Sequence, residues 1–278
     1  MSNAPDFIFI GPGRSGTTFI YNYLKSHPEI NLAKDVKEIN YFNDLYEIKS
    51  FEWYCDFFQD KQPSQLCGEV ANMYFYDTKV PERIQQVLPD VKLITVLRNP
   101  YERIVSAYQY RASVGEITDE TFDEAIENHQ DLIDQNLYFQ LLSAYKEHFN
   151  SEQLKVLLYD DLKHDQNAFL RQINDTLGIA EQRFESNHDN RNARNAPRFK
   201  IVTRLVRILS DSLRKYHLYK IHSFLKNSNL VRRFVFSKKH QNVEISDKTK
   251  QLLIDKIQPE IDQLQRVLGR DLSHWKIQ

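Results

Sequence analysis

The run Gly11-Pro12-Gly13-Arg14-Ser15-Gly16-Thr17-Thr18 has residue types suited to one task, holding an anionic group. It follows an apolar stretch (Phe-Ile-Phe-Ile, residues 7–10) and leads into apolar residues at helical spacing that stop before Pro28. It therefore reads as the turn from a buried strand into a helix. The backbone N–H groups of such a turn, with a helix N-terminus behind them, cradle phosphate-type oxygens. The spacing matches the G-x-x-x-x-G-K-[ST] pattern of nucleoside triphosphate loops except at one position. Thr17 stands where Lys belongs, and the nearest cation is Arg14, inside the loop. Ser15, Thr17 and Thr18 add hydroxyl donors. A triphosphate transferase also needs an Asp to hold magnesium. The best candidate strand for it, residues 91–97, ends in Arg98 instead. The loop reads as built for a phosphate without a metal.

Arg98 lies at the carboxyl end of its strand, where open α/β sheets place ligands. Ser106 follows after seven intervening residues, two turns into the next helix. An Arg fork and a hydroxyl together suit a second phosphate. Two carboxylates, Glu38 in "KEINYF" and Glu69 in "GEVANMYF", are candidates for a general base. Residue type and spacing alone do not rank them, and each reads equally well as a salt-bridged surface Glu.

These residues need a scaffold of strands alternating with helices. Strands are predicted over residues 6–10, 91–97 and 154–159, with Glu69 just after another. Helices are predicted from Gly16 to residue 27, after Pro100, and over residues 80–88, 136–149, 165–177 and 247–268. That alternation implies an α/β, P-loop-like three-layer fold, its central parallel sheet flanked by helices. One domain is expected over residues 1–278, with a basic helical C-terminal region at about 197–278. The stretch 186–198, "SNHDNRNARNAPR", reads as irregular.

The net charge of −1 hides an asymmetry. Residues 197–240 carry twelve Lys/Arg against one acid, Asp211. Such a block suits an anionic polymer or a membrane surface, or else a set of solvated helix faces. Two cysteines, Cys55 and Cys67, make no disulfide framework. Two buried thiols are expected in preference to a bond between them. With no signal peptide and no apolar run of membrane-spanning length, a cytoplasmic protein is expected, peripheral membrane contact being the alternative.

"GPGRSGTT" resembles the 5′-phosphosulfate loop of sulfotransferases that use 3′-phosphoadenylyl sulfate (PAPS), and "LRNPYERIVSAYQYR" is similar to their 3′-phosphate motif. "KEINYF", "VPERIQQVLPDVKLITVLRNPYER" and "NLYFQLLSAYKEHFNSEQLKVLLYDDL" resemble stretches of heparan-type carbohydrate sulfotransferases. The resemblance covers roughly residues 7–179 and thins beyond. It implies transfer of a sulfuryl group from PAPS to an acceptor hydroxyl on a carbohydrate or glycolipid, with adenosine 3′,5′-bisphosphate as product and no metal. It further implies that Arg14, Ser15, Gly16, Thr17, Thr18, Arg98 and Ser106 bind the nucleotide, joined by Arg194 and Arg198 from the irregular stretch. By the same resemblance, Arg14 would stabilise the departing phosphate and Glu38 would be the general base. Lys37, Glu69 and Asn72 are assigned to the acceptor side, Glu69 as an orienting or acceptor-contacting group. The resemblance explains the missing lysine, since a sulfuryl group carries a single formal negative charge and needs no bridging magnesium.

Two departures from the heparan-type pattern stand out. Where those enzymes have Glu-Lys-Ser, this chain has Glu69-Val70-Ala71, so any role of that lysine falls to Arg14, Lys37 or the late loop. The late loop also lacks the cysteines common beside it in the family. No motif matches the His base of phenol and steroid sulfotransferases. The competing readings are a P-loop small-metabolite kinase, which would require magnesium, and a non-enzymatic module binding a polyanion or membrane through residues 197–240. A nucleic-acid partner is not expected.

Overall fold

A computed structural model of the chain describes residues 3–34, 36–118, 120–184, 196–197, 236–237 and 243–277. These fall into two compact units, Met1–Asn99 with Leu137–Ser186 and Pro100–Asn136 with Asn187–Gln278.

The first unit holds a five-stranded sheet. Its strands are β1 (Phe7–Gly11), β2 (Ile30–Leu32), β3 (Leu66–Val70), β4 (Lys92–Leu97) and β5 (Leu154–Leu158). Their order is β2-β3-β1-β4-β5, and every pairing is parallel. All five residues of β1 are buried, as its continuous apolar run requires for a strand covered on both faces. Its helices are α1 (Thr17–Ser26), α2 (Phe51–Cys55) and α3 (Val80–Val87). The chain leaves this unit for α4 (Pro100–Ser113), α5 (Phe122–Asn128) and α6 (Asp131–Asp134). It then returns for α7 (Tyr138–His148), α8 (Tyr159–His164) and α9 (Gln166–Leu177). The core of the first unit joins Phe7 and Phe9 of β1, Ile20 and Leu24 of α1, and Phe169 and Ile173 of α9. Because the chain goes from β1 to β2 and β3 on one side and to β4 and β5 on the other, the strand order reverses at β1. The carboxyl end of β1 is thus the switch point at which doubly wound sheets bind ligands.

Gly68 is a close-approach position. A Cβ there would lie 2.5 Å from the Phe7 carbonyl oxygen and 2.5 Å from the Phe7 ring. Gly68→Ala should therefore cost about 1–3 kcal/mol through overpacking, read as a lower urea midpoint at unchanged slope. A midpoint equal to that of the parent would mean that β1 and β3 do not approach this closely.

In the second unit, Phe122 packs edge-on against Tyr108 at 5.3 Å between ring centroids. α5 opens with a capping box, Thr121 and Glu124 each satisfying the other's backbone N–H. The long α10 (Asp247–Leu268) starts at Ser246, whose Oγ accepts from the Thr249 N–H. Arg103, buried on α4, donates to the Gln135 carbonyl and to its Oε1.

The predicted elements appear with shifted ends. The strand expected over 154–159 stops at Leu158, because Tyr159 opens α8. The helix expected over 136–149 is Tyr138–His148. The short β2 went unpredicted, and Glu69 lies within β3, not after it. Cys55 and Cys67 are buried free thiols. No described helix is long and apolar enough to cross a membrane. The expectations for Arg194, Arg198 and most of the basic block fall outside the described residues.

Candidate active site

The loop between β1 and α1 is shaped by three left-handed residues, Gly11 (φ 102°), Arg14 (φ 69°) and Gly16 (φ 88°). Gly16 caps α1. At Gly11 the glycine is obligatory on two counts, since a Cβ would also lie 2.6 Å from the Asn72 carbonyl oxygen. Thr95 of β4 braces the loop, its Oγ1 donating to the Gly11 carbonyl at 2.8 Å. The fit to a phosphate-type group rests on Ser15. Its Oγ is wholly buried in the loop and has no hydrogen-bond partner among the described residues. A buried unpaired hydroxyl costs about 1–3 kcal/mol, which an oxygen-bearing anion would recover.

Arg98, at the end of β4, reaches back to the same loop. Its Nη1 donates to the Arg14 carbonyl at 3.3 Å. Its guanidinium lies 5.0 Å from the centroid of the Tyr159 ring, a cation–π arrangement. That ring also abuts Gly16, where a Cβ would meet it at 3.2 Å. Tyr159 is thus a site-lining residue missed by the sequence reading. Its signal was available, an aromatic at the carboxyl end of a predicted strand. Ser106 belongs to the second unit, where it is buried on α4.

On the other side of the loop, four expected residues of the first unit meet. The Lys37 ammonium lies 3.5 Å from Thr18 Oγ1 in the first turn of α1. It lies 3.6 Å from Glu38 Oε1, and 5.8 Å from the centroid of the Tyr21 ring. Asn72 Nδ2 donates to Glu38 Oε1 at 2.5 Å. The Glu38 side chain keeps 13% exposure, so it is held but reachable. Asn72 Oδ1 is buried with no hydrogen-bond partner among the described residues, an acceptor awaiting a donor.

Glu69 departs from the expectation in one respect. Its carboxylate is 0% exposed, which leaves it an orienting role and not contact with an acceptor. Oε1 accepts from the Ile39 N–H at 2.6 Å, and Oε2 accepts from the hydroxyls of Tyr54 at 2.9 Å and Tyr74 at 3.0 Å. Burial pushes the carboxyl up to about 7, against the pull of these donors toward the ionised form. The two phenols are pushed well above 10, by burial first and by the adjacent Glu69 charge second.

Fold and site together define a P-loop-like α/β protein with a phosphate-type loop at the end of its central strand, beside a carboxylate reachable from solvent. The family model described as "Sulfotransferase domain" matches residues 4–217, and the chain belongs to that family. It is similar to bifunctional heparan sulfate N-deacetylase/N-sulfotransferase 4 of Mus musculus, 37% identical over 115 residues, 39% of this chain and 13% of that protein. It is also similar to the bifunctional heparan sulfate N-deacetylase/N-sulfotransferase of Drosophila melanogaster, 28% identical over 214 residues, 66% of this chain and 20% of that protein. The chain thus spans a fifth or less of these two relatives' length. Among solved structures, a sulfotransferase from Alicyclobacillus acidocaldarius shares the fold, with a TM-score of 0.68, 21% identity and 98% of both chains covered.

Proposed function

We propose that the chain moves a sulfuryl group from PAPS to an acceptor hydroxyl, on a carbohydrate or glycolipid, without a metal and with Glu38 as general base. The observation that carries this reading is the meeting of Glu38, Lys37, Thr18 and Asn72 beside the phosphate-type loop. PAPS supplies an activated sulfuryl group on a phosphate leaving group. Ser15, Gly16, Thr17 and Thr18 would hold its 5′-phosphosulfate, and Arg98 its 3′-phosphate. Arg14 supplies fixed positive charge to the oxygen on which negative charge builds as its bond to sulfur breaks, the kind of preorganised donor that lowers such barriers. Glu38 takes the acceptor proton as the new sulfur–oxygen bond forms. The Lys37 ammonium and the Asn72 amide keep the Glu38 carboxylate aimed, and Asn72 Oδ1 is free to accept from a further donor on the acceptor. Similarity to the heparan sulfate N-sulfotransferases supports a second reading, in which the acceptor atom is an amine.

Nucleotide binding tests the donor half of this reading. Adenosine 3′,5′-bisphosphate should raise the melting temperature in EDTA, because a ligand that binds only the folded chain stabilises it. ATP, without a 3′-phosphate for Arg98, should do much less. Arg98→Ala should weaken the bisphosphate by about 1.5–3 kcal/mol, the scale of a hydrogen bond to a charged group. Equal stabilisation by ATP, or a requirement for magnesium, would favour the kinase reading instead.

A further inference from the structure

Glu69 is a buried ionisable group with no direct part in the proposed transfer, yet four donors converge on it. Besides the hydroxyls of Tyr54 and Tyr74 and the Ile39 N–H, the Asn40 N–H is directed at the same carboxylate. Ile39 and Asn40 are the two residues after Glu38, and Asn40 sits in the left-handed region at φ 57°. A left-handed Asn is tolerated but not free, so the turn needs something to hold it. The Glu69 carboxylate supplies that hold on the backbone. Three residues further on, Asn72 holds the Glu38 side chain. The segment 69–72 therefore grips the segment 38–40 at two points, one on the main chain and one on the carboxylate.

We infer that Glu69 is the positioning residue of Glu38, and that its ionised form, which alone satisfies all four donors, aims the base. The inference rests on the reading of Glu38 as the base. Backbone N–H groups can only donate, so a neutral Glu69 must place its own hydrogen toward the phenols. One of Tyr54 and Tyr74 would then have to turn its hydroxyl away. The ionisable side chains that meet Glu69 are Tyr54 of α2 and Tyr74 after β3; behind Tyr54 lie Cys55 of α2 and the ring of Tyr41 from the π-helical turn Tyr41–Leu45, and the gripped segment itself carries the Lys37–Glu38 pair. From the neighbouring strand β1, the ladder partner of Glu69 is the apolar Ile8. The phenols are raised from their usual 10, and burial pushes the Cys55 thiol up to about 11, so these stay neutral through neutral pH. Glu69, at about 7, then changes charge where a cell's pH lies.

The sign of the linkage separates this device from a purely structural one. The folded pKa lies above the ordinary 4.5, so the stability Glu69 contributes is complete below about pH 4.5 and is lost as pH rises through about 7. Aim runs the other way, improving as the carboxylate ionises. Raising the pH should thus order the 38–40 turn while loosening the fold as a whole.

The test follows amide exchange at residues 39 and 40 against pH, corrected for intrinsic rates, in the full chain and in Glu69→Gln. Turnover is followed alongside, with sulfur-labelled PAPS and a heparan-type oligosaccharide bearing both amino and hydroxyl groups. In the parent, protection at 39 and 40 should rise through about pH 7, and kcat should share that inflection. Glu69→Gln should flatten both curves and lower kcat by about 10²-fold, the cost of a misplaced group, with bisphosphate affinity near normal. Tyr54→Phe, which removes one donor to the charged form, should move the inflection to higher pH. It serves equally well if Glu69→Gln does not fold. Unchanged protection and an unmoved inflection in these variants would overturn the inference. If Glu38→Gln keeps full turnover while Glu69→Gln still abolishes the protection step, the base assignment fails and the hold by Glu69 survives.

Discussion

Glu38→Gln should lower turnover by about 10²–10⁴-fold, the range for losing a positioned general base, while adenosine 3′,5′-bisphosphate binds nearly as before. Gln preserves the shape and can still accept through its Oε1 the hydrogen bond from Asn72 Nδ2 that Glu38 accepts now. What disappears is basicity. The Lys37 ammonium at 3.6 Å loses one charged neighbour but keeps its contact with Thr18 Oγ1. Melting temperature should accordingly shift little, which separates this outcome from misfolding. Steady-state kinetics beside a binding isotherm decide it. A variant that keeps more than about a tenth of parental turnover, less than a general base contributes, removes Glu38 from that role.

The second large effect is expected at Arg14. Arg14→Gln should cost about 10²–10³-fold in kcat, the scale of removing one donor from a developing negative charge. Gln is the informative replacement because φ is 69° at this position and the backbone strain is the same for both side chains. The Arg14 carbonyl, which accepts from Arg98 Nη1, is also retained. Arg14→Lys should recover most of the loss, since a fixed charge and not a planar fork is what the departing phosphate oxygen needs. If Arg14→Gln instead raises KM for PAPS alone, the residue binds the ground state and transition state equally, and leaving-group stabilisation lies elsewhere.

Legibility in the sequence followed the physics of each element. β1, its loop and α1 were readable because an unbroken apolar run, a glycine turn and a helical apolar stripe lie next to one another in the chain. β4 and β5 were readable for the first reason alone. β2 has three residues, too few for any period to show. β3 was expected but with its end placed too early, because Gly68 and Glu69 interrupt its apolar character, Gly68 to admit Phe7 and Glu69 to accept from the Ile39 N–H. α5 did carry a signature, the Thr-x-x-Glu of its capping box, which the sequence reading did not use.

Of the site, the residues of the loop and Arg98 were legible as types in a pattern, and Glu38 was singled out from Glu69 only by the family resemblance. Their mutual arrangement was not legible. The Asn72–Glu38 hydrogen bond joins residues 34 apart, and it needs β3 to lie beside β2. Tyr54 and Tyr74 look like core aromatics, and their buried rings support that view. Only their hydroxyl hydrogen bonds to Glu69 give them a further task. A polar tip on a buried ring leaves no trace in periodicity, so such partners become visible only in three dimensions.

The central claim is sulfuryl transfer from PAPS without a metal, and label transfer tests it most directly. Sulfur-labelled PAPS in EDTA would be offered a panel of oligosaccharides, glycolipids, phenols and amines. The predicted result is label on a carbohydrate or glycolipid acceptor, at a rate unchanged by added magnesium and lost in Glu38→Gln. No transfer to any acceptor, together with movement of the terminal phosphate of labelled ATP once magnesium is added, would contradict it.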